Sequence, residues 1–271
     1  MATTSAGYAR ARARAGFRKT IRGVVGIMVA LAVWQVLASI GFVRPEWFPT
    51  ATTVLGDAVA LLGQSAFTLQ VLSTLYDMLL GLIISTVVAV PLGVLLGRFP
   101  LAYRMSSVLV EAMRPIPALA LTPVAILLFG LSGATTVSLV VWTSTWPILI
   151  NSVYGMHSVD PVALDTARSF GLGRWTALYR VALPSAAPFI ATGIRIAIGI
   201  ALAVAVATEM VTGAGSGVGG WIVQASSGGS LIPVYAAAVL VGLVGYLLNY
   251  LFERIERRLF RWHLSYRKEG A

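Results

Sequence analysis

The chain has 271 residues, of which 58% are hydrophobic and only 11% are charged. Soluble domains carry about a quarter charged residues, so this composition excludes an ordinary soluble fold and indicates a protein of the lipid bilayer. The absence of cysteine excludes disulfides and thiolate chemistry, and the two histidines, His157 and His263, are too few and too far apart to suggest a metal cluster.

Six apolar segments are each long enough to cross a hydrocarbon core of about 30 Å at about 1.5 Å per residue. They are Gly23–Phe42, Met78–Gly97, Pro115–Leu131, Gly133–Met156, Ser185–Thr212 and Leu231–Phe252. The first segment follows basic residues, but its 20 apolar positions exceed the roughly 7–15 of a signal peptide, so we expect a retained helix. The sequence therefore predicts an all-α membrane protein with six transmembrane helices.

Basic residues are distributed unevenly along the chain. Of the 20 Lys and Arg residues, 18 lie in the two terminal segments and in the loops 98–114 and 157–184. Six spans place these four segments on one face, which the positive-inside rule makes cytoplasmic. We therefore expect a multi-pass protein of the cell membrane, with a membrane domain at 23–252 between basic cytoplasmic tails at 1–22 and 253–271. Because topology accounts for the net charge of +10, the lipid bilayer and not nucleic acid is the expected partner.

The loop between the fourth and fifth spans contains a short helix with clear start and stop signals. Asp160 is a suitable N-cap and Pro161 suits the first helical position. A helix over 161–170 is only about 15 Å long, too short to span the bilayer. Gly171 lies where a helix end favours positive φ, and a second short helix over 174–182 is expected to end before the fifth span.

Two faces of this short helix differ in chemistry. Ala163, Ala167 and Phe170 share one face, whereas Asp165 and Arg168 lie together on another. Small exposed residues suit close docking of another protein. A solvated amphipathic loop explains the same pattern, and local physics does not separate the two interpretations.

The spacing of this loop resembles a pattern in permease subunits of ATP-binding-cassette importers. That pattern is E-A-A, three residues, G, nine residues, I, any residue and L-P. Here Asp165-Thr166-Ala167 occupies the first positions, followed at the same spacing by Gly171, Val181 and Leu183-Pro184. Asp replaces Glu and Thr replaces the first Ala, which keeps the charge and the small size.

Two further segments resemble the subgroup that imports nitrate, aliphatic sulfonates, taurine and related solutes. They are RPIPALALTPVAILLFG (114–130) and TEMVTGAGSGVGGWI (208–222). This resemblance predicts a small anion as the solute. Asp77 is a departure, because such permeases often have Arg near this position, and it weakens the inference about the solute.

The resemblance implies a type I importer permease fold with a cytoplasmic coupling helix between the fourth and fifth spans. It implies a homodimer, two cytosolic ATPase subunits that bind ATP and Mg, and an extracytoplasmic substrate-binding protein. The chain has no phosphate-loop motif G-x-x-x-x-G-K-[ST], so we expect it to bind no cofactor itself and not to be an enzyme. The residues expected to couple to the ATPase are Asp165, Thr166, Ala167, Arg168, Phe170, Gly171, Leu183 and Pro184.

Six residues inside or directly beside the spans are candidates for a translocation pathway: Asp77, Trp142, Ser144, Trp146, Arg195 and Glu209. Ionisable groups in a span are costly and usually face a cavity or the bundle interior. For Arg195 and Glu209 the alternative is that each extends to its own interface, and for the polar residues of the fourth span it is helix–helix contact.

Two other classes of protein fit the sequence less well. An ion-coupled secondary transporter would use Asp77 and Glu209 as coupling carboxylates, but it leaves the polar insert unexplained. A membrane-embedded enzyme or scaffold lacks any catalytic cluster in the sequence.

Overall fold

The computed structural model describes the backbone of residues 3–41, 43–213 and 217–260, and the side chains from residue 21 onward within those ranges. Every regular element in this part of the chain is helical, which confirms the all-α prediction. The helices are α1 Thr3–Ser39, α2 Ala51–Leu62, α3 Ser65–Arg98, α4 Pro100–Met113, a 3₁₀ turn Ala118–Leu121, α5 Thr122–Phe129, α6 Gly133–His157, α7 Pro161–Ser169, α8 Arg174–Ala177, a π turn Leu178–Ala182, α9 Leu183–Thr212, α10 Gly217–Ser227 and α11 Ile232–Leu259.

Five helical stretches are long and apolar enough to cross a membrane. They are Ile21–Ser39, Ser65–Arg98, Gly133–His157, Arg174–Thr212 and Ile232–Leu259. They correspond to five of the six predicted spans. Helix α3 begins 13 residues before the predicted second span, which started at Met78, and α11 continues into the segment predicted as the C-terminal tail.

The third predicted span, Pro115–Leu131, is not one straight helix. Helix α4 and the stretch Ala118–Phe129 together are long enough to cross, but they meet at an angle of 82°. Pro115 and Pro117 explain the break, because proline removes a backbone donor and disfavours helical geometry in the residue before it. The segment predicted as the loop 98–114 is therefore mostly helical.

Two short helices lie where the sequence predicted none. Helix α2 is capped by Thr50, whose side chain accepts a hydrogen bond from the Thr53 amide. Helix α10 occupies the glycine-rich segment that follows the fifth span. Its Trp221 meets Phe67 of α3 edge-on, with ring centroids 5.0 Å apart, so α10 packs back onto the bundle.

Small residues bring α3 and α6 into close contact along most of their lengths. A Cβ at Gly81, Gly93 or Gly97 would overlap Val140, Ser152 or Met156, respectively. Each pair differs by 59 positions, so the two helices run parallel in one constant register. Small residues at four-residue spacing let membrane helices approach in this way. A parallel pair needs a return crossing between its members, which the bent α4–α5 segment supplies.

Helix α9 runs antiparallel to α6 and packs as closely. A Cβ at Gly155 would lie 2.9 Å from the Ala186 carbonyl oxygen, and one at Gly193 would lie 2.9 Å from that of Pro147. Helices α3, α6 and α9 thus form the tightly packed centre of the bundle.

The basic tails are described only in part. Helix α1 begins at Thr3, within the segment 1–22, and the side chains before residue 21 lie outside the described set. Helix α11 extends to Leu259, so the bundle includes the first residues of the segment 253–271. Residues 261–271 lie outside the described residues.

The α3–α6 contact predicts the effect of a single methyl group. Gly93→Ala should lower the free energy of unfolding by roughly 1–3 kcal/mol, because its Cβ would overlap Ser152 and approach the Leu149 carbonyl oxygen at 2.8 Å. Gly242→Ala is the control, since this helical glycine has nothing within 4 Å of its Cβ position. Thermal unfolding in detergent measures both; equal midpoints for the two variants would contradict the packing argument.

Candidate coupling and transport site

Helix α7, the short helix of the polar insert, has a side-chain cap at its start. The Asp160 carboxylate accepts a hydrogen bond from the Val162 amide at 2.8 Å, and Pro161 occupies the first turn. The cap satisfies one of the amides that a helix start leaves without an internal partner. The predicted start is therefore confirmed.

The end of α7 is a glycine-dependent turn. Gly171 has φ +75°, and its amide donates to the Arg168 carbonyl at 2.9 Å, while the Leu172 amide donates to the Ala167 carbonyl at 3.1 Å. These two bonds form a Schellman motif, which requires a residue of positive φ at the position of Gly171. Both ends of α7 are thus fixed by local hydrogen bonds, and the predicted stop is confirmed.

The open side of α7 carries an apolar residue beside an ion pair. Phe170 is 82% exposed, and Val162 is also exposed. Asp165 and Arg168 pair at 2.9 Å, with most of both side chains in contact with solvent. Thr166 lies exposed between them and bonds to the Val162 carbonyl. An exposed phenylalanine of this kind has no packing function within the described chain.

The structure corrects one expectation for α7. Ala167 is only 5% exposed and is not available for docking. Its neighbour Leu164 packs with Met156 and Ala182, so this side of α7 faces the chain's own helices. The small side chain of Ala167 serves internal packing, and the exposed residues of α7 lie elsewhere on the helix.

The second predicted short helix is in fact the beginning of the fifth span. Residues Arg174–Thr212 form one continuous helical stretch, so Leu183-Pro184 does not end a helix. Pro184 lacks an amide hydrogen, and just before it the Leu183 amide donates to the Leu178 carbonyl in a single wide turn. The segment after α7 is therefore joined directly to α9.

Glu209, near the end of α9, contacts the start of α10. Its side chain is buried, and its Oε2 accepts hydrogen bonds from Thr74 Oγ1 and from the Gly219 amide, both at 2.9 Å. Thr74 Oγ1 in turn accepts from the Val218 amide at 2.8 Å. Side chains of α3 and α9 thus satisfy two amides at the start of α10. Glu209 does not extend to an interface, which corrects that alternative.

The first amide of α10 has a partner of the same kind. The Gly217 amide donates to Gln70 Oε1 at 2.6 Å. Gly217 has φ +85°, and a Cβ at Gly217 or Gly219 would overlap Glu209. Sequence reasoning missed Gln70 and Thr74, because these partners lie 147 and 144 positions from the amides they accept.

Asp77 lies against the start of another helix. It is buried, and a Cβ at Gly133, the first residue of α6, would lie 2.7 Å from Asp77 Oδ2. A carboxyl group is favoured beside a helix N-terminus, where the backbone carries partial positive charge. Asp77 and Glu209, both predicted as pathway residues, therefore each contact the start of a helix.

Arg195 lies on α9 and has a partner that the sequence did not indicate. Its guanidinium is 3.4 Å from Glu256 Oε2 on α11. Glu256 belongs to the segment predicted as a tail, so its part in the bundle was missed. The pair joins α9 to α11 and replaces the expectation that Arg195 extends alone to the interface.

The predicted polar patch of α6 contains donors without acceptors. The Trp142 and Trp146 rings meet edge-on at 5.3 Å. Neither indole Nε1, nor the buried Ser144 Oγ, has a hydrogen-bond partner among the described residues. Buried polar groups are nearly always paired, so these three groups of α6 are exceptions among the described residues.

The fold and the capped insert define a class of protein, the type I importer permease. The chain is similar to the solved structure titled as inward-facing conformations of a methionine ABC transporter, with a TM-score of 0.60, 20% identity and coverage of 70% of this chain and 94% of that one. It is also similar to a bacterial alginate ABC transporter in complex with a pentasaccharide-bound periplasmic protein, with a TM-score of 0.63, 15% identity and coverage of 92% and 96%. These likenesses show a shared fold.

Sequence comparison identifies the family. The model of the binding-protein-dependent transport system inner membrane component matches residues 89–261, and the chain belongs to this family. It is 27% identical to the taurine transport system permease protein of Escherichia coli, over 91% of each chain. It is 29% identical to a nitrate import permease protein of Leptolyngbya laminosa, over 89% of this chain and 88% of that one. The predicted family is thereby confirmed.

The contact of Glu209 with α10 predicts which substitutions the bundle tolerates. Glu209→Gln should leave folding nearly unchanged, because the amide oxygen can accept the same bonds from Thr74 and Gly219. Glu209→Leu should destabilise the protein by roughly 1–3 kcal/mol per amide or hydroxyl left without a partner. The thermal unfolding midpoint in detergent separates the two variants. A leucine variant as stable as wild type would show that these bonds do not hold α10.

Proposed function

We propose that this chain is the transmembrane subunit that moves a small anion into the cytoplasm by alternating access, driven by partner ATPase subunits. The observation that carries the proposal is α7, a short helix fixed at both ends that presents an exposed Phe170 beside an ion pair. A rigid helix with an exposed apolar residue at its end can bind a second protein and transmit that protein's movement. Nothing inside the described bundle requires such a projection.

The connection from α7 to the bundle supports this coupling. Helix α7 packs on the segment Arg174–Ala182, which continues without a break into α9. Displacement of α7 therefore reaches the centre of the bundle through continuous helix. In the proposed cycle, two copies of this chain bind two cytosolic ATPase subunits, which hold ATP and Mg, and an extracytoplasmic binding protein delivers the solute. Each partner favours one of two packings of the bundle.

The charge distribution supports the orientation. Arg98, Arg168, Arg174 and Arg180 lie at the end of the bundle that carries α7. Basic residues near span ends favour the cytoplasmic side, so we place α7 and both termini in the cytoplasm. This is the side on which an ATPase subunit has access to ATP.

An anionic solute fits the unpaired donors of the α6 patch. The patch of α6 offers indole N–H donors at Trp142 and Trp146, and an anion supplies acceptors. The carboxyl groups of Asp77 and Glu209 contact helix starts, so Asp77 no longer argues against an anion. The taurine and nitrate permeases to which the chain is similar support the same class of solute.

The ion-coupled alternative rests on one observation, the buried Glu209 Oε1, which has no hydrogen-bond partner among the described residues. It requires Asp77 and Glu209 as coupling carboxylates, whereas Glu209 Oε2 holds the start of α10 and Asp77 lies against Gly133. It also gives α7 no role. We therefore propose only the ATPase-driven importer.

Two glycines of the insert test the coupling role. Gly171→Val forces a β-branched residue to φ +75°, at a cost of about 1–3 kcal/mol, and should displace the end of α7. Gly173→Val is the matched control, because Gly173 has φ −62° and nothing lies within 4 Å of either Cβ position. We expect loss of substrate-stimulated ATP hydrolysis and of ATPase co-purification for Gly171→Val only. Asp165→Ala should give a smaller loss.

If Gly171→Val and Asp165→Ala assemble and stimulate hydrolysis as wild type does, α7 is only a solvated loop. The unfolding midpoint of each variant should fall by no more than a cost of about 1–3 kcal/mol explains, since the spans do not depend on this turn. A lowered midpoint in Gly171→Val with normal coupling would equally count against the proposal.

The tryptophan pair tests the nature of the solute. Trp146→Phe keeps a ring and removes one unpaired donor, so the KM for solute should rise roughly two- to tenfold, the value of one neutral hydrogen bond. Trp142→Phe should act in the same way. Trp221→Phe on α10 is the control, and its KM should not change. Measurement requires the reconstituted complex with sulfonate or nitrate; an unchanged KM in both α6 variants would remove these donors from the pathway.

A further inference from the structure

An open groove lies between the end of α3 and the beginning of the fifth span. It has a volume of about 560 Å³, within the range of about 300–1,000 Å³ typical of small-molecule sites. Its walls are mainly apolar and include Val90, Val94, Leu95, Leu178 and Leu183. We call this space the α3–α9 groove. None of the residues assigned above to solute contact lines it.

The rim of the α3–α9 groove is basic. Arg98 and Arg174 line it, and no acidic residue does. Neither arginine takes part in an ion pair or side-chain hydrogen bond among the described residues, whereas Arg168, Arg195 and Arg257 do. A second cavity of about 120 Å³ beside the groove is lined by the same two arginines and by Arg168. Positive charge is therefore concentrated at one end of the apolar α3–α9 groove.

The charged and apolar ends of the α3–α9 groove are arranged like the headgroup and acyl chains of a lipid at the membrane interface. Arg98 is the last residue of α3, and Val90 lies eight residues earlier, about 12 Å deeper along the helix axis. Exposed Trp175 and Tyr179 line the groove beside the arginines. Aromatic residues of this type mark the headgroup level of a membrane, and basic pockets between membrane helices bind anionic headgroups.

We propose that the α3–α9 groove binds an anionic phospholipid, with its phosphate between Arg98 and Arg174 and an acyl chain along Val94 and Leu178. The guanidinium groups supply paired donors for phosphate oxygens. The apolar walls offer contacts to an acyl chain that a free phosphate cannot make. The two arginines favour a lipid of net negative charge over a zwitterionic one. The site is independent of the transported solute.

Native mass spectrometry of the purified full chain in detergent tests the proposal, with phosphatidylglycerol and phosphatidylcholine of identical acyl chains as probes. Wild type should prefer phosphatidylglycerol. Arg98→Gln with Arg174→Gln should lower its affinity for phosphatidylglycerol roughly thirtyfold, the value of two surface arginines, and remove the preference over phosphatidylcholine. Arg180→Gln is the matched control, since Arg180 lines neither cavity. Its affinity should equal that of wild type.

A groove-filling variant separates the acyl contact from the charge. Leu95→Trp keeps both arginines and should also lose binding, while its unfolding midpoint without lipid should stay near wild type. Equal affinity of wild type for the two lipids would overturn the proposal. If glycerol 3-phosphate, added at the same concentration as phosphatidylglycerol, displaces the lipid completely, the groove is a site for a free anion. That result would also overturn the proposal. A Leu95→Trp variant that changes oligomeric state but binds phosphatidylglycerol normally would assign the groove to a second copy.

Discussion

The bundle depends on hydrogen-bond acceptors for the backbone amides of its interior, where water cannot serve as the acceptor. Lipid cannot satisfy an exposed N–H, so a helix that starts inside a membrane protein needs partners from its neighbours. Helix α10 obtains them from Gln70 and Thr74 on α3 and from Glu209 on α9. Because the acceptors come from two different helices, the same bonds that allow α10 to exist also fix α3 against α9. One oxygen of the buried Glu209 carboxyl group, Oε2, thereby has a structural role, while Oε1 has no partner among the described residues.

Close packing extends this fixed contact along the bundle. The glycines of α3 allow α6 to approach at one constant register, and Gly155 and Gly193 do the same for α6 and α9. Three helices in such contact resist sliding, since a shift of one residue would bring larger side chains into positions that have no room for a Cβ. If α7 receives motion from a partner, as proposed above, these three helices should move as a unit. A change of access then requires rearrangement at the edges of this unit.

Local signals in the sequence were sufficient for the elements that depend on local physics. Asp160, Pro161 and Gly171 predicted both ends of α7, because caps and positive-φ turns are properties of neighbouring residues. Helix α10 was missed, because its glycines resemble a turn and its start depends on Gln70 and Thr74, far away in the chain. The role of Glu256 was missed for the same reason. The break in the third span was encoded in Pro115 and Pro117 but was outweighed by the apolar composition around them.

The use of charge inside the bundle bears on how a solute would pass. Asp77 and Glu209 contact helix starts, and Arg195 pairs with Glu256, so these four ionisable groups are engaged in structural contacts. The unpaired groups of the α6 patch are neutral donors. Neutral donors bind an anion more weakly than an arginine does, and a transport pathway must release what it binds. A pathway of this kind would leave tight selection of the solute to a partner protein, which agrees with the family to which the chain belongs.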